Sequence, residues 1–592
     1  MQQSIDAFDD FLQRGPTNCL TSNESHQTGT AMLKTDQDAL LRANLRALNH
    51  AIRSRPGPHS TSRSLTTLMK HGGLYTILDK DMMTARLNAL AAHTPEHGSA
   101  LMALVPHLQS TAETFFTRLV PDAPYLIPSS LMSHIVLPHE GTTYSPDTEE
   151  KRDPAKFESR DIPAVFTFVG QFIDHDLTMN AVNLFEPQQD PLPPAKAGAP
   201  VTANSVVDGA SPLIDLDSVY GTRVSSSSPA GDLYEGDKFR LVTSNGMTDL
   251  PREEDGTAVI GDSRNDENQL ILQIHLLVQR MHNKFVDEGK SFAEARKETI
   301  YNWQLMILKD HLPRVIEADT LRYVLEQVAL PDFGALKHKP VLDLATGQLK
   351  VSMPHEFAIG YRFGHSQLKR SYRLNSRHPD GTVLFDNSLV GTGPRGNEFD
   401  DLRGSQTLRE KNTIEWPVFY ARAKPVLGNR IDGKVTSRVF DLPESAIPDD
   451  IKYIGNLPHR NLIRSRQVGV CSGEALAAFY GITPFAPEAI EPDASARALY
   501  MQNEAVPAES RQFETPLWYY FLKEAELTNG PGVNSSKLGP LGSRLISEVI
   551  VGAIAYAPLS IMNDKTWTTT IPGDPADHLK NIIRWVNDLP AF

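Results

Sequence analysis

The segment Gly170-Gln171-Phe172-Ile173-Asp174-His175-Asp176-Leu177-Thr178 sets one histidine between two aspartates near the end of an apolar run. A buried imidazole with a carboxylate on each side is costly unless each charge finds a partner, so positive charge is expected on both sides. Val165, Phe168, Val169 and Phe172 keep the i, i+3, i+4, i+7 spacing of a helix face that packs inward. His175 lies three residues past Phe172 and four past Gln171, so histidine and glutamine share that buried side. Successive helical residues turn by about 100°, so Asp174 and Asp176 flank His175 and look away from each other.

This stretch resembles the distal helix of the animal-type haem peroxidases, the superfamily of the mammalian peroxidases, the cyclooxygenases and many bacterial relatives. The resemblance implies that His175 faces the open side of a haem iron. It further implies that Asp174 can be esterified to the haem, that Asp176 binds calcium, and that Gln171 lies near the distal water and halide site.

Other elements of the same family follow in its order. Ser211-Pro212-Leu213-Ile214-Asp215-Leu216-Asp217 resembles the calcium loop. Calcium takes six to eight oxygens, and Ser211, Leu213, Asp215 and Asp217 would present a hydroxyl, a carbonyl and two carboxylates, with Asp176 completing the shell. Standing alone, this loop reads as a solvated acidic turn. Next, Gly261-Asp262-Ser263-Arg264-Asn265-Asp266-Glu267-Asn268 leads into a helix striped by Leu270, Ile274, Leu277, Val278, Met281 and Phe285, with Asp266 and Gln269 as its capping box. Without the family context Arg264 and Glu267 read as an exposed ion pair. The family match makes Arg264 the distal catalytic arginine and Glu267 the second haem ester.

Glu356-Phe357-Ala358-Ile359-Gly360-Tyr361-Arg362-Phe363-Gly364-His365-Ser366 matches the proximal helix. By resemblance His365 ligates the iron and Arg362 holds a haem propionate. In Arg460-Asn461-Leu462-Ile463-Arg464, the family places an asparagine, Asn461, that accepts the other N–H of the proximal histidine. Arg464 then reaches a propionate. Such outer bonds fix the ring and make the ligand more electron-donating.

The resemblance implies a mainly α fold with few short strands, one large catalytic domain over 121–592 and an N-terminal extension over 1–120, mobile first and then helical. The cofactors implied are haem b, with possible esters at Asp174 and Glu267, and calcium. The activity implied is reduction of hydrogen peroxide with oxidation of small organic donors, halides or thiocyanate, as in the response to oxidative stress. His175 would act as general base and then acid, and Arg264 would stabilise developing charge. The fatty-acid dioxygenases of the superfamily are the alternative. They carry a tyrosine three residues before the proximal histidine, where this chain has Arg362, and Tyr361 would be rotated away from the haem. Thr178 stands where some relatives carry an aspartate, and Asn268 stands where one has a haem-bonded methionine.

Bulk properties agree with an enzyme of this kind. The chain has 592 residues, 40% of them hydrophobic, and a formal charge of −14, which argues against nucleic acid or an anionic membrane as partner. Only Cys19 and Cys471 are present and the N-terminus lacks signal-peptide character, so a reducing, cytoplasmic setting is expected. The apolar run over 549–559 is too short to span a bilayer and reads as a buried helix. Segments 186–200 and 377–409 look like surface excursions, and the C-terminal pattern resembles bacterial members. Gly391-Thr392-Gly393-Pro394-Arg395-Gly396 fits a dinucleotide fingerprint only formally, because a proline interrupts it. Cys471 reads as a buried thiol, and His275 and His282 as structural residues.

Overall fold

The computed structural model describes residues 116–120, 122–136, 158–178, 210–220, 233–253, 256, 258–330, 333–343, 348–350, 352–392, 398–421, 423–443, 455–529 and 537–592. Nearly all of the expected N-terminal extension, Cys19 and the 186–200 segment lie outside them. Helices dominate, and the strands pair only two at a time. The mainly α expectation holds.

Helix α1, Val165–Leu177, is apolar enough to be buried almost all round, and Val165, Phe168, Val169 and Phe172 are at most 1% exposed. Its entry is fixed by a sheet rather than a side-chain cap. Strand Glu158–Pro163 feeds directly into it and pairs antiparallel with Leu427–Asn429. Helix α2, Gln269–Asp287, packs against α1, and a 3-10 turn, Ser263–Asp266, touches both. The expected capping box is not what starts α2. Asn268 is the N-cap, its Oδ1 accepting from Leu270 N at 3.1 Å and Ile271 N at 3.0 Å. Asp266 lies in the preceding turn, drawn off by the Arg252 guanidinium at 2.7 and 3.1 Å.

The proximal segment also departs from a continuous α-helix. Helix α3, His355–Gly360, gives way to a 3-10 stretch, Tyr361–Gln367. The change matters because residues three apart eclipse in 3-10 geometry, which stacks Arg362 and His365 on one side. Strand Phe116–Thr117 runs parallel to Met353–Pro354 just before α3, and Glu356 Oε1 accepts from Leu119 N at 3.1 Å, tying this entry down.

Helix α4, Leu457–Val468, begins on the Asn456 cap and ends at Gly469, whose φ of +58° is the left-handed conformation that closes helices. It packs on α3. Helix α5, Pro540–Ala555, contains most of the apolar run over 549–559 and is buried, as expected. Among the described residues no helix is long and apolar enough to cross a membrane.

One expectation is overturned here. The 377–409 segment is not a free excursion. Its described C-terminal part docks under the Ser263–Asp266 turn, with Gly404 N donating to Glu267 O at 2.9 Å and Ser405 N to Asp266 O at 3.2 Å. A Cβ on Gly404 would overlap the Asp266 backbone, so the close approach requires glycine. The polar composition that suggested a surface loop is consumed internally, notably by the buried Asp401–Arg403 pair at 2.7 Å.

Candidate active site

The two helical walls meet at a partly open pocket. Gly170, Gln171 and Asp174 of α1 line one side, and Arg362, Gly364 and His365 of the 3-10 stretch line the other. Phe166, Phe363 and Leu368 supply apolar surface. His175, Arg264 and Glu267, expected at the site, are not among the residues that line it.

His175 is 3% exposed. Its Nδ1 contacts Asn265 Oδ1 at 2.9 Å, and its Nε2 stands 4.0 Å from Glu267 Oε2. Arg264 does not form the exposed pair with Glu267 that its spacing allows. It is buried, gripped by Asp262 through Nε at 3.2 Å and Nη2 at 2.7 Å, and its Nη2 also donates to His175 O at 2.8 Å. The guanidinium is thereby held against the His175 backbone. Gln171 Nε2 donates to Glu267 Oε2 at 3.4 Å and Gln171 Oε1 accepts from Asn268 Nδ2 at 3.2 Å, linking the cavity wall to the Arg264 segment.

The two aspartates beside His175 are met by neutral donors as well as by whatever charge they attract. Asp174 accepts from Thr178 Oγ1 at 3.2 Å. Asp176 accepts from Leu216 N at 3.0 Å and from Ser218 N and Oγ at 3.3 and 3.1 Å. The Asp176, Asp215 and Asp217 carboxylates converge, with one oxygen of each within 4.8 Å of the others. Burial, and then the charges of Asp217 and Asp215, hold the Asp176 carboxyl well above its usual range. Three converging carboxylates fit a hard cation. Ser211 enters through its backbone N–H, which donates to Asp217 Oδ2 at 2.8 Å, and Leu213 lies on the same loop.

On the proximal side, His365 Nδ1 contacts Asn461 Nδ2 at 2.9 Å, while Asn461 Oδ1 accepts from Arg362 Nη1 at 3.2 Å. The pairing of His365 with Asn461 is as expected, but its polarity is reversed. The amide nitrogen here faces the imidazole while its oxygen faces the arginine. Arg464 is buried in α4 near His355. Burial, and then the charges of Arg464 and Arg118, push the His355 imidazole well below its usual value.

Tyr361 is also not where the sequence put it. It lines the cavity, with its hydroxyl 3.3 Å from His311 Nε2. Burial, and then the Asp174 charge, raise its phenol well above the usual range. It stands on the same 3-10 stretch as Arg362 and His365.

The donor set fits a haem. A histidine, a cationic arginine and aromatic walls face one slot. Three buried polar atoms on its lining, Thr167 Oγ1, Gln367 Nε2 and His311 Nδ1, have no hydrogen-bond partner among the described residues. Buried polar atoms left open in this way suit a ligand that carries its own polar groups.

Residues 188–406 match the family model described as animal haem peroxidase. Over that stretch the chain is similar to animal haem peroxidases. The matched stretch includes Asp215, Asp217, Arg264, Glu267, Arg362 and His365, while α1 and Asn461 lie outside it. Among solved structures, peroxidase A from Dictyostelium discoideum is similar at 16% identity, over 80% of this chain and 94% of that one, with a TM-score of 0.47. No curated protein matches the chain. The family typically binds haem, and hydrogen peroxide and small donors are its typical substrates.

Sequence reasoning missed Asp262, Asn265 and Ser218. Asp262 had a signal, an aspartate two residues before a buried arginine, repeated in Asp401 and Arg403. Asn265 and Ser218 had none, since their partners lie 90 and 42 residues away.

Proposed function

We propose that this chain is a haem b peroxidase that reduces hydrogen peroxide and oxidises small organic donors, halides or thiocyanate. The observation that carries this reading is the slot with Gln171 and Asp174 on one wall and Arg362 and His365 on the other, backed by Arg264 held against the His175 backbone.

When bound, the haem supplies the redox chemistry of peroxide cleavage and donor oxidation. The chain supplies position and protons. His365 would hold the haem iron, and Arg362 and Arg464 would pair with the haem carboxylates. Ligation through Nε2 needs the proton on His365 Nδ1, hence an acceptor at Asn461. That polarity follows when Arg362 turns from Asn461 Oδ1 to a carboxylate and the amide rotates. His175 Nε2 would take a proton from one oxygen of hydrogen peroxide and return it to the other. The Arg264 guanidinium, its plane fixed by Asp262, stabilises the charge that develops there. Gln171 holds the distal water or halide. Asp174, Glu267 and their different backbone origins suit two ester links, and Asp176, Ser211, Leu213, Asp215 and Asp217 suit structural calcium. The catalytic unit is taken as 121–592.

The test is a spectrum of haem-loaded protein before and after peroxide, then a screen with a phenol, iodide, thiocyanate and linoleate. The expected result is a Soret band that shifts with peroxide and returns with the phenol or anion. His365→Ala should lose that band's five-coordinate character and nearly all turnover, and an unchanged spectrum would refute the axial assignment. Acid–organic extraction after turnover tests the esters, since complete release of unmodified haem rules them out. Oxygen uptake with linoleate alone would favour the dioxygenase reading.

A further inference from the structure

We propose that the cleft headed by Arg280 binds a small carboxylate with an apolar body, an aromatic or short-chain acid. The inference goes beyond the peroxidase reading and does not rest on it.

The cleft opens between four segments and shares no lining residue with the slot of Arg362 and His365. Helix α2 gives Leu276 and Arg280, and the strand Met247–Asp249 gives Met247. The 408–416 stretch gives Leu408, Ile414 and Trp416, and Asn587 follows helix α6, His578–Val586. Leu276 and Leu408 belong to a small apolar cluster, whereas Ile414 and Trp416 belong to the main core. The cleft is therefore a seam where two cores meet without filling the space between them. Walls that are mostly apolar, with a few polar groups at one end, are what small-molecule sites use.

Arg280 supplies the charge. A guanidinium has five N–H donors and no acceptor, so the direction of its bonds is settled. Nη1 donates to Asn587 Oδ1 at 2.6 Å and Nη2 to Val586 O at 3.5 Å, both neutral oxygens. Among the described residues Arg280 makes no ion pair, and Asp588, close enough for its charge to be felt, is paired with Lys284 at 2.5 Å. Burial pulls the guanidinium below its ordinary value, and the Asp588 charge opposes this only in part. No nitrogen of Arg280 is sealed off without a bond, so its remaining donors keep access to the cleft that it lines. A part-buried cation short of an anion gains when one arrives. One planar fork fits one carboxylate through two parallel bonds. Among the described lining residues Arg280 is the one charged group, so a doubly charged phosphate would find no second cation, while an apolar body would find the two clusters.

The experiment titrates full-length protein, with and without added haem, with para-fluorobenzoate followed by fluorine NMR. The parent should bind it saturably with a Kd below about 1 mM, and equally with and without haem. Neutral para-fluorobenzamide, with the same body and no charge, should bind at least about tenfold more weakly, and so should acetate, read by its displacement of the probe. Arg280→Gln should weaken the fluorobenzoate Kd by at least about tenfold. If Arg280→Gln does not fold, Met247→Trp, which narrows the cleft from its half-buried strand, is read in its place and should weaken binding by a similar factor. Absence of saturable binding in the parent overturns the proposal, as does an unchanged Kd in the folded Gln or Trp variant. Equal binding of the benzamide refutes the carboxylate, and binding that haem abolishes places the probe in the slot instead. Failure of the peroxidase reading looks different, because the parent would then bind no haem while the fluorobenzoate titration still gives its answer.

Discussion

Replacing Asp262 by alanine should unfold this protein's active-site turn from within. The carboxylate is 1% exposed and meets a guanidinium that is 3% exposed. It contacts Arg264 Nε at 3.2 Å from each oxygen and Nη2 at 2.7 Å, and it also accepts the Arg264 backbone N–H at 3.0 Å. Removing one member of a buried pair leaves an uncompensated charge, which costs about 3–5 kcal/mol. A lost N-cap alone costs about 1 kcal/mol and falls inside that range, because the same oxygens make both contacts. Net stabilities of about 5–15 kcal/mol make this a large fraction. The double variant Asp262→Ala/Arg264→Met removes both charges, so its cost should fall to about 1–2 kcal/mol by the same reasoning. Urea unfolding followed by tryptophan fluorescence gives the comparison through the midpoint and slope. Peroxide turnover should also drop by about a hundredfold in the single variant, the order expected when a reacting group is displaced by about 1 Å. The reasoning is wrong if Asp262→Ala lies within about 1 kcal/mol of the parent, or if the double variant is no more stable than the single one.

Three further outcomes are expected. Asp176→Asn should lower bound calcium, measured by elemental analysis of chelator-free protein, and should reduce haem retention because His175 is its neighbour on α1; parent protein without calcium would count against the cation site. Gly404→Ala should lower the thermal midpoint and slow peroxide reduction although it touches no cavity residue, because the Asp266 backbone must move; wild-type rates in this variant would show that the docked segment does not position the turn. The Glu474 carboxyl is raised to about 7, by burial first. A raised carboxyl contributes stability that is fully present below its unfolded pKa, about 4.3, and is lost as pH rises through the folded value. The thermal midpoint should therefore fall between about pH 5 and 7, and less so in Glu474→Gln, whose amide can still serve Thr515 N and Oγ1; equal slopes in the two proteins would refute the assignment.

The sequence by itself determined the parts whose signal is local. Periodic apolar residues made α1 and α2 legible, and a histidine beside glycine marked one wall of the slot. The convergence of Asp176 with Asp215 and Asp217 was expected from the family resemblance alone, since the loop by itself reads as a solvated acidic turn. What the sequence could not set were winding, polarity and partners. Spacing along the chain turned Tyr361 away from the site, and only the packed structure puts it on the wall. The capping of α2 passed from Asp266 to Asn268 because Arg252, fourteen residues away, claimed the aspartate. Arg264 turned inward to Asp262 rather than outward to Glu267 because the turn is buried beneath α1 and the 399–412 segment. The His175–Asn265–His275 chain exists only once α1, the turn and α2 are packed together. Hydrogen-bond direction is decided by which groups burial brings face to face, and that belongs to the tertiary structure.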